Sequence, residues 1–360
     1  MTTRQARASA PTAGTIGVTG AAGALGRRVV AALAGGDGVD KIIGLDVARP
    51  DGADALTWRT ADVRDPLLDQ SLAGMHTLVH VAGHHHPDTP ADERRAVNVR
   101  GTENLLAAAE SAGVQRVVLV TSALVYGAHP DNPVPITEDA PLRATPDDTL
   151  IGDFLEVERL VEAHRARHAA PEVVVLRPAS LVGPGADSVV TRHFESRRLL
   201  VVRGTSPLWQ FCHIDDLAAA CALAARGGIS GSVNVACHGW LTQEQVEAVA
   251  GLRRLELPWS LAIATAERLH RAGLTPAPPS ELQYLMHPWV VSAAAIAAAG
   301  WQPAYDNAVA LREQVEITRG RVTVAARRLS REDATRAAAG ATVALLGTAA
   351  LVRRARKRRR

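Results

Sequence analysis

The chain has 360 residues, of which 47% are apolar and 3% aromatic, enough for one large or two fused domains with ample core. Its formal charge of +3 conceals a split: residues 353–360 hold seven basic side chains, and the remainder is slightly acidic. Nothing in the body of the protein therefore calls for a nucleic-acid partner, and the three cysteines, Cys212, Cys221 and Cys237, odd in number and without metal-ligand spacing, fit small buried residues in a reducing cytosol.

Residues 1–13 are small and polar with no apolar run, which predicts a disordered leader and not a signal peptide. Thr15-Ile16-Gly17-Val18 reads as a short buried strand, and Arg27 to Leu33 has helical spacing. Between them lies Thr19-Gly20-Ala21-Ala22-Gly23-Ala24-Leu25-Gly26. In that context Gly20 serves the tight turn, Gly23 the approach of a diphosphate to bare backbone, and Gly26 close helix-strand packing. The helix N-terminus adds unpaired N–H groups and a favourable dipole for an anion. About twenty residues on, Lys41 to Leu45 is a second strand ending in Asp46. A carboxylate there accepts bonds from ribose hydroxyls and repels a 2′-phosphate, so NAD is expected over NADP, with Arg49 the one residue that speaks for NADP.

A third short strand around Ala55 to Thr60 leads to Asp62-Val63-Arg64-Asp65, where an acid can meet an adenine amino group or simply cap a solvated turn. His76 to Gly83 is an apolar run of buried-strand type, with small residues at its carboxyl end where a cofactor can lie against backbone. His84-His85-His86 follows; three consecutive imidazoles do not converge on one ion without a tight turn, so a substrate-facing or solvated loop is expected and no metal. Ala91 to Gly113 is expected to form one long helix with Val97, Leu105, Leu106 and Ala109 buried. Asn98 and Gly101 are poor helix formers in its interior, costing up to about 1 kcal/mol each, which calls for a compensating contact.

Arg116 to Val120 is another strand, ending in the hydroxyl pair Thr121-Ser122 and followed by Val125-Tyr126-Gly127. A helix over 147–168 and a strand over Val173 to Pro178 continue the alternation of strand and helix, which implies a parallel, doubly wound sheet. From Gly183-Pro184-Gly185 the pattern changes to short strands, at Leu199 to Val202 and Gly231 to Ala236, and two helices, Asp215 to Ala225 and Gln243 to Ala250. The expected division is a dinucleotide-binding domain over 14–182, a smaller substrate domain over 183–320 exchanging segments with the first, and a tail over 321–360.

Taken together these pieces resemble the extended short-chain dehydrogenase/reductases, the NAD-dependent epimerase/dehydratase family. The matching segments are the glycine motif, Asp46, Asp62-Val63, Val79 to Gly83, Asn98 to Thr102, Thr121 to Gly127, Leu176-Arg177-Pro178, Gly183-Pro184-Gly185, Phe211 to Leu217 and Gly300 to Pro303, in family order. The resemblance implies a Rossmann-like fold with Gly20, Ala22, Gly23, Leu25 and Gly26 facing the NAD diphosphate. It places Asp46 at the ribose, Asp62 and Val63 at the adenine, and Ala82, Gly83 and His85 along the middle of the cofactor, with Asn98 a further cofactor-binding residue. Pro178 would lie near the nicotinamide, and Ser122 at the catalytic serine, bonding the oxygen of a small hydroxylated substrate such as a nucleotide sugar. Read from the residues alone, Ser122 serves equally well as a strand-end hydroxyl capping local backbone.

The family's proton-transfer device is a Tyr-X-X-X-Lys dyad in which the ammonium lowers the tyrosine pKa. Aligned on Glu156 to Leu160, the two positions hold Leu150 and Phe154. The chain's tyrosines are Tyr126, Tyr284 and Tyr305 and its lysines Lys41 and Lys357, so no shift in alignment restores the pair. Either another group moves the proton (His84, His85, Asp147, Asp148 or Asp153), or the chemistry needs little proton transfer, or the chain binds cofactor as a regulator or scaffold without turnover; Phe154 favours the last. His213-Ile214-Asp215-Asp216 reads structurally, with an aspartate capping the next helix, and Arg192, Arg197 and Arg203 are candidates to pair a substrate diphosphate.

Residues 337–352 carry no charge and would make a helix of roughly 24 Å, short of the roughly 30 Å hydrocarbon core. With the basic cluster behind it, this segment fits an in-plane helix against an anionic membrane surface, which would put a cytoplasmic protein at the inner face of the cell membrane; the alternative is packing in a homo-oligomer.

Overall fold

The computed structural model describes residues 14–36, 38–50, 56–167, 170–196, 198–272, 275 and 278–319, together with the backbone pairing of 323–324 and 327–328. The expectations for the leader and for residues 337–360 lie outside the described residues. The elements run β1 (Gly14–Thr19), α1 (Ala24–Ala34), β2 (Val39–Asp46), β3 (Thr57–Thr60), α2 (Leu68–Leu72), β4 (Thr77–His80), α3 (Ala91–Arg95), α4 (Gly101–Ser111), β5 (Arg116–Val120), α5 (Leu150–Arg167) and β6 (Glu172–Pro178). Then come β7 (Ser180–Val182), α6 (Val189–His193), β8 (Arg198–Val202), β9 (Leu208–Trp209), β10 (Phe211–His213), α7 (Ile214–Ala225), β11 (Ser232–Val235), β12 (Leu241–Thr242) and α8 (Gln243–Ala250). The series closes with β13 (Arg253–Leu257), α9 (Trp259–Arg271), α10 (Ala294–Ala298), α11 (Asn307–Thr318) and the pair β14 (Thr323–Val324) and β15 (Arg327–Arg328).

Seven strands form one parallel sheet in the order β11-β6-β5-β4-β1-β2-β3, the doubly wound α/β arrangement expected. Strand alternation sorts its side chains cleanly between two cores. Ile16, Val18, Val79, Val118, Val174 and Leu176 face α1 and α7, while Ile43, Leu45, Leu78, Val117, Leu119, Val173 and Val175 face the opposite layer with Leu68, Leu105 and Leu106. Both faces are buried, so the strands read as continuous apolar runs. The alanines of α7, with Cys221, let that helix pack closely against α1.

The strand over 232–235 pairs with β6 and so extends the main sheet, although it follows the chain's entry into the smaller region. That region has its own core around Phe194, Leu199, Trp209, Phe211, Val246 and Leu311. All three cysteines are buried and unpaired, as expected of small core residues. Among the described residues no helix is long and apolar enough to cross a membrane.

One element differs from expectation. Residues 91–113 do not form a single regular α-helix: α3 passes into a π turn over Ala96–Arg100 before α4 begins at Gly101. Val97, Leu105, Leu106 and Ala109 are buried as expected, and the irregularity contains Asn98 and ends just before Gly101, the two residues whose helix propensity is poor.

Candidate active site

The glycine turn is built backbone against backbone. A Cβ on Gly20, where φ is +71°, would stand 2.7 Å from Ala82 Cα, and one on Gly26 would stand 2.0 Å from Gly20 O. Gly23 is different, since its Cβ would meet only Gly20 O, at 3.1 Å, so the outer side of the turn is open. Gly23 caps α1 without a side-chain bond, and the first turn of α1 carries no acid. Among the described residues the N–H groups of Ala24, Leu25 and Gly26 therefore have neither an intrahelical nor a side-chain acceptor, as an anion site requires.

Asp46, at the carboxyl end of β2, accepts from Ala22 N at 3.0 Å through Oδ2 and from Val47 N at 2.8 Å through Oδ1. The loop's own amides thus fix the carboxylate at its rim, and each oxygen keeps a second lone-pair site. Asp62 lies one strand further out, where the bond from Arg64 at 2.6 Å pulls its carboxyl below the usual range. Val63 is buried under Gly101; a Cβ at Gly101 would come within 2.7 Å of Val63 Cγ2, which accounts for a glycine inside that helix.

Beyond β4 a chain of buried polar groups runs inward. Thr102 gives its single hydroxyl proton to Asn98 O at 2.6 Å, so it accepts from His80 Nε2–H at 3.2 Å, and His80 Nδ1 accepts from Thr19 Oγ1 at 2.7 Å. Burial pushes His80 down to about 4, in keeping with this neutral tautomer. Asn98 turns its side chain the other way, accepting from His84 N at 2.8 Å and donating to His84 O at 3.0 Å. This is the compensating contact that a mid-helix asparagine demands, and the π turn presents it.

A small cavity of about 30 Å³ lies between Leu25, Ala82, His85, Asn98, Phe154 and Val157, beneath the loop that follows β4. It brings together four of the residues singled out from sequence with the phenylalanine at the expected lysine position. His85 and Phe154 meet with ring centroids 5.7 Å apart and planes tilted by 46°. Burial, aided by His84, pushes His85 down to about 4, so its imidazole is neutral near pH 7 and a weak base. Asp153 is fully buried and bonded to Arg94 at 2.8 Å; burial raises its pKa against that pairing. The main-chain carbonyl of Asp148 accepts from Arg94 as well.

Ser122 ends the run after β5 with 8% exposure, and its Oγ accepts from Leu124 N at 3.2 Å. Among the described residues no acceptor takes its hydroxyl proton. Pro178 ends the adjacent strand, tied across by Thr121 N to Leu176 O at 2.9 Å. Both are held by a buried network: Glu158 accepts from Thr121 Oγ1 at 2.7 Å and from Arg177 through both oxygens, at 2.9 and 2.8 Å. Arg177 also donates to Tyr126 OH at 2.8 Å, and Tyr126 donates to Asn234 Oδ1 at 2.9 Å. Tyr126 is therefore a structural member of this network, and burial raises its pKa.

Two expectations in the second half of the chain need correction, those for Arg192 and for the cap after His213. Arg192 is not available to a diphosphate: it is fully buried, holds Asp187 at 2.9 Å and Asp88 at 2.8 Å, and so ties α6 to the loop after β4. His86 of that loop lies 2.8 Å from the same Asp187. Arg203 is paired with Glu256 at 3.0 Å, and residue 197 lies outside the described residues. The helix after His213 is not capped by an aspartate. His213 itself accepts from Asp215 N at 3.3 Å, while Asp216 accepts from Ala304 N and Tyr305 N, anchoring the segment after Trp301.

Residues 16–236 match the profile of the NAD dependent epimerase/dehydratase family. An uncharacterised protein of Mycobacterium tuberculosis is 28% identical over 260 residues, 69% of each chain. The N-acetyl-alpha-D-glucosaminyl-diphospho-ditrans,octacis-undecaprenol 4-epimerase of Escherichia coli O157:H7 is 46% identical over 74 residues, 20% of this chain and 22% of that one. The fold is shared with the UDP-glucose 4-epimerase of Thermus thermophilus, solved with NAD: TM-score 0.63 at 21% identity, over 85% of this chain and 99% of that one.

Proposed function

The chain belongs to the NAD-dependent epimerase/dehydratase family, and from that premise we propose that it binds NAD and oxidises or isomerises a nucleotide-sugar-like, hydroxylated substrate by hydride transfer. The observation that carries this reading is the open glycine turn, its uncapped helix N-terminus and Asp46 fixed at its rim. Gly20, Ala22, Gly23, Leu25 and Gly26 would hold the diphosphate, Asp46 the adenosine ribose, and Asp62 and Val63 the adenine. Ala82, Gly83, His85 and Asn98 would line the central part, with Pro178 under the nicotinamide. When bound, NAD supplies a reversible hydride acceptor.

The chain's own residues position and exclude. Ser122, with its hydroxyl proton uncommitted, would donate to the substrate oxygen, and the network of Glu158, Arg177 and Tyr126 keeps that hydroxyl at the sheet edge. Leu25, Phe154 and Val157, which line the small cavity beneath the loop after β4, would keep water out of that part of the site. The test is calorimetry with NAD and NADP, followed by the reduced-nicotinamide absorbance when a panel of nucleotide sugars is added. NAD binding with a new absorbance band supports the reading; no heat with either coenzyme overturns it.

The contact of Phe154 with His85 supports a second reading, in which the cofactor is bound without turnover. Turnover that disappears in Ser122→Ala would refute it. The basic residues 353–360 support docking at an anionic membrane face from the cytoplasm, tested by sedimentation with anionic vesicles before and after deletion of residues 336–360.

A further inference from the structure

Three segments far apart in sequence close over the end of the sheet next to Ser122. A 3-10 turn, Pro279–Leu285, lies across the gap between the turn after Ser122 and the start of α5. Tyr284 OH donates to Leu124 O at 2.8 Å, and Ser280 Oγ donates to Asp147 Oδ2 at 3.3 Å. Glu281 sits between these two anchors. It is half-buried, and among the described residues its carboxyl takes part in no hydrogen bond. Asp147 is held in turn by Thr149, whose N–H and hydroxyl both donate to Oδ1, and it stands three residues before Leu150. The site thus has a carboxyl without a hydrogen-bond partner beside a fixed carboxylate, next to the position where the family's tyrosine is expected.

Resting on the epimerase/dehydratase reading, we propose that Glu281, paired with Asp147, is the proton-transfer residue of this active site in place of the Tyr-X-X-X-Lys dyad. In the oxidising direction the carbinol C–H bond breaks and its electron pair leaves as hydride to the nicotinamide ring of NAD. The carbinol O–H proton passes to the Glu281 carboxylate, and the carbonyl forms. In the reverse direction protonated Glu281 returns that proton to the oxygen as hydride comes back to carbon, so atoms and electrons balance without another reactant.

The electrostatics suit the task. Burial, reinforced by the negative charge of Asp147 and opposed by Arg94, pushes Glu281 up to about 8. Near neutral pH a carboxyl so placed gives and takes a proton with comparable ease, whereas an ordinary glutamate is too weak a base. Among the described residues α9 and β8 pack on this turn; Glu267, Arg268, His270 and Arg271 of α9 and Arg198 of β8 do not enter that balance. On the turn itself Tyr284 is raised well above its ordinary value by burial and by the charges of Glu281 and Asp147, so it stays a neutral donor.

The test uses the full-length chain with NAD and two probes, UDP-glucose and UDP-N-acetylglucosamine, reading reduced-nicotinamide formation against pH and NAD affinity by calorimetry. Oxidation by the parent chain is expected to rise through a limb near pH 8. Glu281→Gln should lower kcat by about 10²–10⁴-fold with NAD affinity within about twofold, and Glu281→Asp should restore part of the rate. Asp147→Asn should move the limb to lower pH, because it removes the anion that raises Glu281. A Glu281→Gln chain that turns over like the parent, or a limb that ignores Asp147→Asn, overturns the assignment and leaves the family reading standing. A parent chain that binds NAD but oxidises neither probe at any pH overturns the proposed hydride transfer on nucleotide sugars and the Glu281 assignment with it, and leaves family membership untouched.

Discussion

Asn98 grips His84 by both of its main-chain polar groups, accepting from N at 2.8 Å and donating to O at 3.0 Å. The π turn aims that amide out of the helix, and the loop over the candidate cofactor site hangs from it. Asn98→Ala should cost about 1–3 kcal/mol of stability, because both main-chain groups lose a partly buried partner. Asn98→Asp, which keeps the acceptor and loses the donor, should fall between. Urea unfolding gives the first number, and calorimetric titration with NAD should show a weaker site in the same order.

Removing Glu158 would strand a guanidinium in the interior. Arg177 and Glu158 are 5% and 1% exposed, so the cation would stay in the interior once its partner is gone. Glu158→Ala should therefore destabilise by about 3–5 kcal/mol, whereas replacing both residues with apolar side chains of similar size should cost far less. Because Thr121 also donates to Glu158, the single variant should disorder the Ser122 edge, and any turnover should drop beyond what the stability loss explains.

Gly101 and Val63 form a steric pair. A methyl at 101 would press on Val63 Cγ2, a side chain that has alternatives, and not on backbone. Gly101→Ala alone should lose about 1–3 kcal/mol by overpacking, and Val63→Ala in the same chain should recover most of it. Additive losses in the double-mutant cycle would refute the contact.

Much of this architecture is legible in the sequence because both faces of the sheet are covered, which writes the strands as unbroken apolar runs. The glycine turn and Asp46 are legible for a similar reason: local backbone geometry demands those residue types at that spacing. What escapes a sequence reading depends on distance. The π turn is a response to Val63 and His84, and no local signal distinguishes it from a regular helix with two weak residues. Arg192 reads as a diphosphate ligand because its partner Asp88 stands 104 residues earlier. Glu281 carries no local signal, since Ser280 meets Asp147 across 133 residues. The helices α10 and α11 are hard to read, one because it is five residues of mostly alanine and the other because its apolar stripe is weak.

Acid should unfold the protein through its buried imidazoles. His80, His85 and His193 are each pushed down to about 4 by burial, from 6.5 in the unfolded chain. Between those values the unfolded chain binds protons that the folded chain refuses, so stability is fully present above pH 6.5 and is lost as pH falls toward 4. His80, bonded at both nitrogens and 6% exposed, should account for the largest share, on the order of 3 kcal/mol at most. His80→Gln, which can still donate to Thr102 and accept from Thr19, should flatten the acid limb of a stability-against-pH curve. An unchanged slope would mean that the imidazole is protonated in place.

Asp46 has two separable duties, and substitution should resolve them. Its oxygens fix Ala22 N and Val47 N, which shapes the turn, and on the NAD reading proposed above its charge would repel a 2′-phosphate. Asp46→Asn keeps one acceptor oxygen for the amides but removes the negative charge. NAD affinity should fall by about tenfold, one charge-assisted bond's worth, while NADP affinity rises relative to it. Asp46→Ala removes both duties, so the amide of Ala22 loses its partner and both coenzymes should weaken together. Calorimetric titration of the two variants with both coenzymes distinguishes the effects: parallel losses in Asp46→Asn would show that the residue shapes the turn without choosing the coenzyme.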